Sequence, residues 1–401
     1  MPDCCGGSTK RRHCQTWGAK CRRTLLAAGY RHVRDTQEDS LYIREMPHGQ
    51  PAVVIVVYTD DFQITGEEPC AKAVYWQIAK LFQVAGATEA AAPMQEFLGI
   101  ERVPRGVGVD GVRHVVLHQV KYARFICDDY ERRFCAGKRL RGVATPMSTG
   151  HDEGEQVPEA IPELKTYAAE LVGRLLWLAR CTRPDLSQPC NSMARRYRQW
   201  ERVDDRALHR LFRYLRAYEA VGIGFWGAAE DLHKIIVEVW ADSSHAGEVC
   251  DARSTSGVVA ALRGPKSWLP VGWGSRTQSA TALSTPDAEL CGEFEGTFRI
   301  GLPLAGVAEE VLSRIVRLVL RTDNTTAVEV VRKGYSRKLS YLKKHQRIAI
   351  SALWETYIAE GSPNVLVEQP GVGMIADPLT KPLDVTVHWR HCRGIGLVAV
   401  P

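Results

Sequence analysis

Long apolar runs are missing from this sequence. The longest, Ala52 to Tyr58, has the length of one buried strand, far short of the ~18 residues of a membrane span. The N-terminus, Met-Pro-Asp-Cys-Cys-Gly-Gly, carries no apolar signal segment. The chain is therefore expected to be intracellular, cytoplasmic or nuclear, neither secreted nor bound to membrane. Internal repeats and low-complexity tracts are also missing. So are paired cysteines at zinc spacing: the 12 cysteines stand singly apart from Cys4-Cys5, which reads as a set of reduced thiols. His13, Cys14 and Cys21 come nearest to a ligand set, and such spacing alone is weak. Charge of one sign is scarce. With 52 basic and 46 acidic side chains the net charge is +6, which permits a polyanionic partner without demanding one. Hydrophobic residues at 45% and charged residues at 24% exclude a disordered or collagen-like chain.

The 401 residues allow about two or three domains at ~100–200 residues each. Basic residues cluster at Lys10 to Arg12, Lys20 to Arg23, Arg132 to Arg141, Arg195 to Arg216 and Arg332 to Arg347. The acidic, Gly- and Pro-bearing stretch from Ser148 to Pro158 reads as an exposed linker, and the pattern breaks again near Gly222 to Asp231. Trp17 to Gly29 and Ala71 to Val84 have helical spacing. Ala52 to Tyr58 is apolar on both faces, as in a strand covered on both sides. It stops at Thr59-Asp60-Asp61, and Phe62 to Gly66 resumes a strand pattern, which predicts a hairpin with two carboxylates at its turn. Glu163 to Tyr218 is helical. Within it Arg206, Arg210, Arg213 and Arg216 share one face, opposite Leu208, Leu211, Phe212 and Leu215. Such a face is ordinarily solvated; the sharper reading is a stripe that tracks phosphates.

From Lys234 onward the order becomes three strands, helix, strand, two helices and strand. The strands are expected at Ile235 to Asp242, Gly257 to Leu262, Trp268 to Arg276, Ile315 to Thr322 and Asn364 to Gln369. Ser284, with Asp287 three residues on, predicts a capped helix from Thr285. Further helices are expected at Thr325 to Lys333 and Lys343 to Ala359. Four carboxylates stand at strand ends or helix starts: Asp242, Glu289, Asp323 and Asp377. A lone Asp at a strand end is ordinarily a turn residue or cap. Four acids converging on one sheet edge would repel strongly unless divalent cations compensated them. Magnesium prefers such hard oxygen ligands, and two ions about 4 Å apart suit phosphodiester cleavage.

Trp240-Ala-Asp-Ser-Ser-His-Ala-Gly247, Asp251-Ala-Arg-Ser-Thr-Ser-Gly257 and Ala282-Leu-Ser-Thr-Pro-Asp-Ala-Glu289 resemble the ribonuclease H domain of copia-type retrotransposon polyproteins. So do Arg321-Thr-Asp-Asn-Thr-Thr-Ala327 and Ile375-Ala-Asp-Pro-Leu-Thr-Lys-Pro-Leu383. The resemblance implies that Asp242, Glu289, Asp323 and Asp377 are catalytic and hold two Mg2+ ions, or Mn2+. Upstream, Tyr58-Thr-Asp-Asp61 with Ile64-Thr-Gly66 resembles the metal-binding hairpin of the reverse transcriptase palm, which makes Asp60 and Asp61 candidate polymerase ligands. Glu96-Phe-Leu-Gly-Ile-Glu101 resembles the segment that follows the palm. Leu171 to Ala179, Thr182-Arg-Pro-Asp185 and His209 to Leu215 resemble the thumb and connection helices, which moves the arginine stripe toward nucleic-acid contact.

The fold so implied is α/β, with α+β character in the N-terminal part. A truncated palm (1–147), a linker (148–163) and a helical thumb/connection (164–230) precede a ribonuclease H-like mixed five-stranded sheet with flanking helices (231–401). Departures are local. Ser244 replaces the usual second Asp of the first motif, and Arg347 stands where an Asp is usual after His345. The family's polymerase also needs an Asp upstream of the hairpin, and Asp3, Asp35 and Asp39 lie in no matching motif. The chain is expected to be a ribonuclease H-type endonuclease acting on RNA·DNA hybrids, with an incomplete RNA-directed DNA polymerase domain inactive by itself. The alternatives are a non-catalytic nucleic-acid-binding remnant, and a polymerase whose missing half comes from another Pol chain. Trp268 and Trp273 offer stacking surfaces, although strand tryptophans ordinarily belong to a core.

Overall fold

The computed structural model describes residues 8–33, 40–47, 50, 52–84, 96–149, 162–247, 252–335 and 344–401. Asp3, Asp35, Asp39 and most of the expected linker lie outside the described residues, as do the side chains of His13, Cys14, His345 and Arg347. The chain forms two compact units, one of residues 1–97 with 303–315 and one of residues 98–302 with 316–401.

The first unit contains α1 (Ser8–Ala27), β1 (Arg31–His32), β2 (Leu41–Arg44), β3 (Val53–Tyr58), β4 (Asp61–Thr65), α2 (Glu68–Phe82) and the short β5 (Glu96–Phe97). Strands β1 to β4 form an antiparallel sheet in chain order. Tyr58 pairs with Asp61, so Thr59 and Asp60 form the two-residue turn of the expected hairpin. Thr59 sits at φ 53°, the left-handed conformation that tight hairpins require. Leu25, Val53, Ile55, Val74 and Ile78 fill the core. Cys21 is buried with them, which pushes its thiol up to about 11 and opposes the thiolate that a metal ligand must be.

The second unit begins with β6 (Ile100–Val107), β7 (Arg113–His118) and α3 (Val120–Phe134), followed by α4 (Ala168–Cys181), α5 (Ser187–Arg196) and α6 (Arg202–Ala217). Then come β8 (Val221–Gly227), β9 (Ile236–Ser244), β10 (Thr255–Arg263), β11 (Trp268–Thr277) and α7 (Thr285–Glu295); a π-helical turn follows α7, and α8 (Leu302–Leu312) after it belongs, from Pro303 on, to the first unit. The chain ends with β12 (Leu318–Thr322), α9 (Thr325–Lys333), α10 (Lys344–Tyr357), β13 (Val365–Glu368), α11 (Val385–Ile395) and β14 (Leu397–Ala399).

Strands β13-β12-β9-β10-β11 are hydrogen-bonded neighbours in that order. β9, β10 and β11 are antiparallel, and β12 runs parallel to both β9 and β13. This is the mixed sheet that the ribonuclease H resemblance implies. It is also larger than expected, because β8, β7 and β6 continue it beyond β11 and β14 pairs with β8. The expected boundaries at 147 and 231 therefore cut through one sheet, and the compact units part at Phe97 instead. The join is narrow, since β8 and β11 pair at one position, Trp226 with Trp268.

Helices α3 to α6 carry their own core of Ile126, Tyr130, Leu171, Leu175, Leu211 and Phe212. The rings of Tyr130 and Phe212 stack at 4.0 Å. Trp273 on β11 donates from Nε1 to the Ala179 carbonyl at 2.7 Å, so this tryptophan ties the sheet to α4. No described helix is long and apolar enough to cross a membrane.

Candidate active site

β9 has hydrogen-bonded neighbours on both sides, and its residues from Val237 to Ser243 are buried. Asp242 belongs to that buried run, near the strand's C-terminal end. Two glycines let other elements close on it. Gly257 on β10 pairs with Asp242, and a Cβ there would meet Thr380 Cγ2 at 2.6 Å and the Ala376 carbonyl at 3.0 Å. Its missing side chain admits the turn that carries Asp377. Gly292 on α7 would place a Cβ 2.5 Å from Ser243 Oγ, so this glycine lets α7 lie against β9.

α7 begins where the capping residues predicted. The Ser284 side chain accepts from the Asp287 amide, and Asp287 Oδ2 accepts from the Leu283 amide at 2.9 Å. Glu289 follows in the second turn and faces the sheet. Asp323 comes directly after β12, and Asn324 then caps α9 by accepting from the Ala327 amide at 2.9 Å. The strand end and the cap together fix Asp323 from both sides.

One ligand oxygen from each of Asp242, Glu289 and Asp323 lies within 4.8 Å of the other two. Among the described residues this is the one group of three acids, histidines or cysteines so arranged. Asp377 opens a 3-10 turn, Asp377–Leu379, and joins the cluster through a cation. Lys381 Nζ is 3.1 Å from Asp377 Oδ1 and 3.5 Å from Asp242 Oδ2. The Thr380 hydroxyl donates to the same Asp242 oxygen, and His391 Nε2 lies 3.9 Å from Asp377 Oδ2.

The electrostatics follow from burying like charges together. Burial first, then the charges of Asp242, Glu293 and Asp323, lift Glu289 from 4.5 to about 10. Asp377 rises from 3.8 to about 7 through burial and the charge of Asp242, against the opposing pull of Lys381. Asp323 is raised by the same two causes. Burial works against the Lys381 ammonium, but the carboxylates of Asp242 and Asp377 outweigh it and raise its pKa. Oε2 of Glu289 is buried without a hydrogen-bond partner. Hard oxygens in surplus, a buried carboxylate oxygen with no donor and a lysine drawn among them make a donor set that fits divalent cations.

Sequence reasoning missed Lys381, Thr380 and Glu293. Glu293 is fully buried, one helical turn beyond Glu289 and electrostatically coupled to Asp323, and burial pushes it up to about 8. The signal was the spacing of four residues, which puts Lys381 with Asp377 and Glu293 with Glu289 on shared faces.

Asp60 and Asp61 occupy their expected exposed turn in the first unit. The arginine stripe divides. Arg206 is exposed, and Arg210 reaches Thr145 Oγ1 at 3.0 Å. Arg213 is buried and donates to the Arg141 carbonyl at 2.8 Å. Arg216 is buried between Glu131 at 2.7 Å, Glu219 at 2.8 Å and Asp128 at 2.5 Å. The expected surface row of four is thus not presented as four, because the Arg141 carbonyl holds Arg213 and the acids Glu131, Asp128 and Glu219 hold Arg216.

No family model matches the chain. Over 395 residues it is 26% identical to the retrovirus-related Pol polyprotein from transposon RE2 of Arabidopsis thaliana, a match covering 96% of this chain and 24% of that one. It is 25% identical over 394 residues to the corresponding polyprotein from transposon RE1 of the same plant, with the same coverage of 96% and 24%. The chain spans about a quarter of the length of these curated relatives. Among solved structures, the N-terminal ribonuclease H domain of a Mycobacterium tuberculosis protein, fused to maltose binding protein, is 14% identical with a TM-score of 0.24, covering 40% of this chain and 97% of that one. Similar along nearly all of its length to two such polyproteins, the chain is a homologue of copia-type retrotransposon Pol polyproteins.

Proposed function

We propose that the second unit hydrolyses the RNA strand of RNA·DNA hybrids with the help of divalent cations. The observation that carries this reading is the convergence of Asp242, Glu289 and Asp323 within 4.8 Å, with Asp377 linked to them through Lys381. These acids would hold the cations, magnesium or manganese, which supply a water of lowered pKa and neutralise charge on the scissile phosphate. Thr380 orients Asp242 by donating to its Oδ2. The half-buried Lys381 ammonium, between Asp377 and Asp242, offsets part of their charge.

Hybrid recognition is assigned to backbone shape and 2′-hydroxyls, with Arg206 and Arg210 on α6 as phosphate contacts. Arg213 and Arg216 hold α6 against its neighbours. The Asp60-Asp61 hairpin is read as the polymerase-type turn of the first unit, and two carboxylates alone make a partial ligand set.

The test is cleavage of a labelled hybrid by the full 401-residue chain in magnesium or manganese, with Asp323→Asn as control. RNA cleavage that falls by about 100-fold or more in the variant is expected, the scale of a lost transition-state contact. Hybrid that is bound normally but stays uncut would replace this reading with the non-catalytic nucleic-acid-binding alternative.

A further inference from the structure

Beside the acid cluster, on the same face of the sheet, lies an open cleft of about 560 Å³. Glu238, Trp240 and Asp242 alternate along β9 and so share a face. At about 3.3 Å per residue, Trp240 and Glu238 stand roughly 7 and 13 Å from Asp242 along the strand. The segment after β13 links the two places: Ile375 lines the cleft, and Asp377 two residues later reaches the acids.

The cleft is cationic and aromatic at once. Arg263 and Arg321 both bind the buried carboxylate of Glu238, Arg263 Nη1 at 2.8 Å from its Oε2. One carboxylate shared by two guanidiniums leaves a positive surplus and fixes both in place. Arg321 Nη1 is also held by Gln369 Oε1 at 3.1 Å. Each guanidinium carries five N–H donors, so donors remain for an incoming oxyanion. Lys266 stands at the rim, paired with Glu230 at 2.8 Å in an exposed ion pair of the kind that contributes little. Arg393 is exposed and has no acidic partner among the described residues.

Three tryptophans complete the lining. Arg263 lies over Trp268 and Arg321 over Trp240, each at 5.9 Å from the ring centroid. Trp268 is locked by its bond to the Ile395 carbonyl at 2.9 Å. Trp226 on β8 is half-buried and lines the cleft. An inorganic anion would leave the aromatic wall unused, and an apolar ligand would leave the arginines unpaired. A nucleotide uses both, with its base against Trp226, the one of the three that is not buried, and its phosphate on the guanidiniums.

We infer that this cleft is a nucleotide-binding site. The nucleotide is either free or an unpaired unit of a strand running on from the hybrid. The second source rests on the nuclease reading above, since the cleft lies only about two to four nucleotides from the acids at the 3.4 Å rise of a stacked strand.

The test uses the full chain and its tryptophan fluorescence. Titration with adenosine monophosphate should quench the signal saturably and more tightly than inorganic phosphate does. Reversing two rim charges, Lys266→Glu with Arg393→Glu, should weaken that binding about tenfold or more, because the phosphate contact carries most of the attraction. Displacement of the nucleotide by a hybrid with a short single-stranded extension, but not by the blunt hybrid, assigns the site to a strand. Displacement by neither assigns it to a free nucleotide. Adenosine monophosphate that binds no better than phosphate, or that ignores the charge reversal, overturns the proposal. The nucleotide titration does not use the acids, so quenching that persists while RNA stays uncut upholds the cleft and removes only the nuclease reading.

Discussion

The ammonium of Lys381 stands 3.1 Å from Oδ1 of Asp377. A cation so placed competes with any divalent ion for the same oxygens. Two unit charges 4 Å apart interact by about 4 kcal/mol at an effective dielectric of 20, and the partly exposed lysine realises only a fraction of this. Lys381→Met should therefore bind Mn2+ about tenfold more tightly, which is about 1.4 kcal/mol, as read by calorimetric titration. In EDTA the same variant should melt at a lower temperature, because the acids lose their internal counterion. Weaker Mn2+ binding would instead make Lys381 the residue that orders the acids for their ion.

Stability in the absence of metal should fall as pH rises. Asp377 is lifted from 3.8 to about 7 and Glu289 from 4.5 to about 10, both chiefly by burial. Above pH ~4.5 the unfolded chain releases these protons while the folded chain keeps them, so stability declines with pH. The Asp377 contribution is complete near pH 7, and that of Glu289 continues toward 10. Melting curves in EDTA from pH 5 to 9 should show the decline, and Glu289→Gln should flatten it. Each kcal/mol relieved should raise the midpoint by roughly 2–4 °C. A wild-type midpoint that is flat or rising across this range would contradict the assignment.

The placement of the acids was legible because local signals fix it. A strand end sets Asp242 and Asp323, a cap starts α7 at Thr285, and a short turn begins at Asp377. Element bounds in this region matched the sequence pattern within a few residues for the same reason. What stayed hidden depends on contacts between distant segments. Nothing near Arg216 in sequence announces Glu131 or Asp128. Nothing in β6 and β7 announces that they pair onward to β8, about a hundred residues later. The two-sided cover expected of Ala52 to Tyr58 is met on one face only, with Val53, Ile55 and Val57 buried, Val54 and Val56 half-buried and Tyr58 exposed, because what covers a strand is decided by tertiary packing.

Gly257 is the hinge between local pattern and site. Gly257→Ala would drive a Cβ to within 2.6 Å of Thr380 Cγ2, 2.9 Å of Leu379 Cβ and 3.0 Å of a backbone carbonyl. The turn carrying Asp377 and Lys381 would have to shift. Overpacking of this kind costs about 1–3 kcal/mol, which urea unfolding would read. Mn2+ affinity should fall as well, because the shift moves an acid. Gly274→Ala on β11 is the control, since nothing lies within 4 Å of a Cβ there. Equal behaviour of the two variants would sink this account of the site's assembly.

The arginines of α6 should separate by role when each is replaced. Arg216→Ala leaves Glu131 buried beside Asp128 and Glu219 without their shared cation. Breaking a buried pair from one side destabilises by about 3–5 kcal/mol, so this variant should unfold at markedly lower urea. Arg206 is exposed, and Arg206→Ala should leave stability within about 0.5 kcal/mol of the parent. Its effect should appear in hybrid affinity, with the slope of log K against log salt reduced by about 0.9 for one lost phosphate contact. Turnover of bound hybrid should remain, since Arg206 lies on α6 and belongs to none of the elements that carry the acids. An unchanged salt slope for Arg206→Ala would remove α6 from the nucleic-acid surface and leave its arginines a purely structural task.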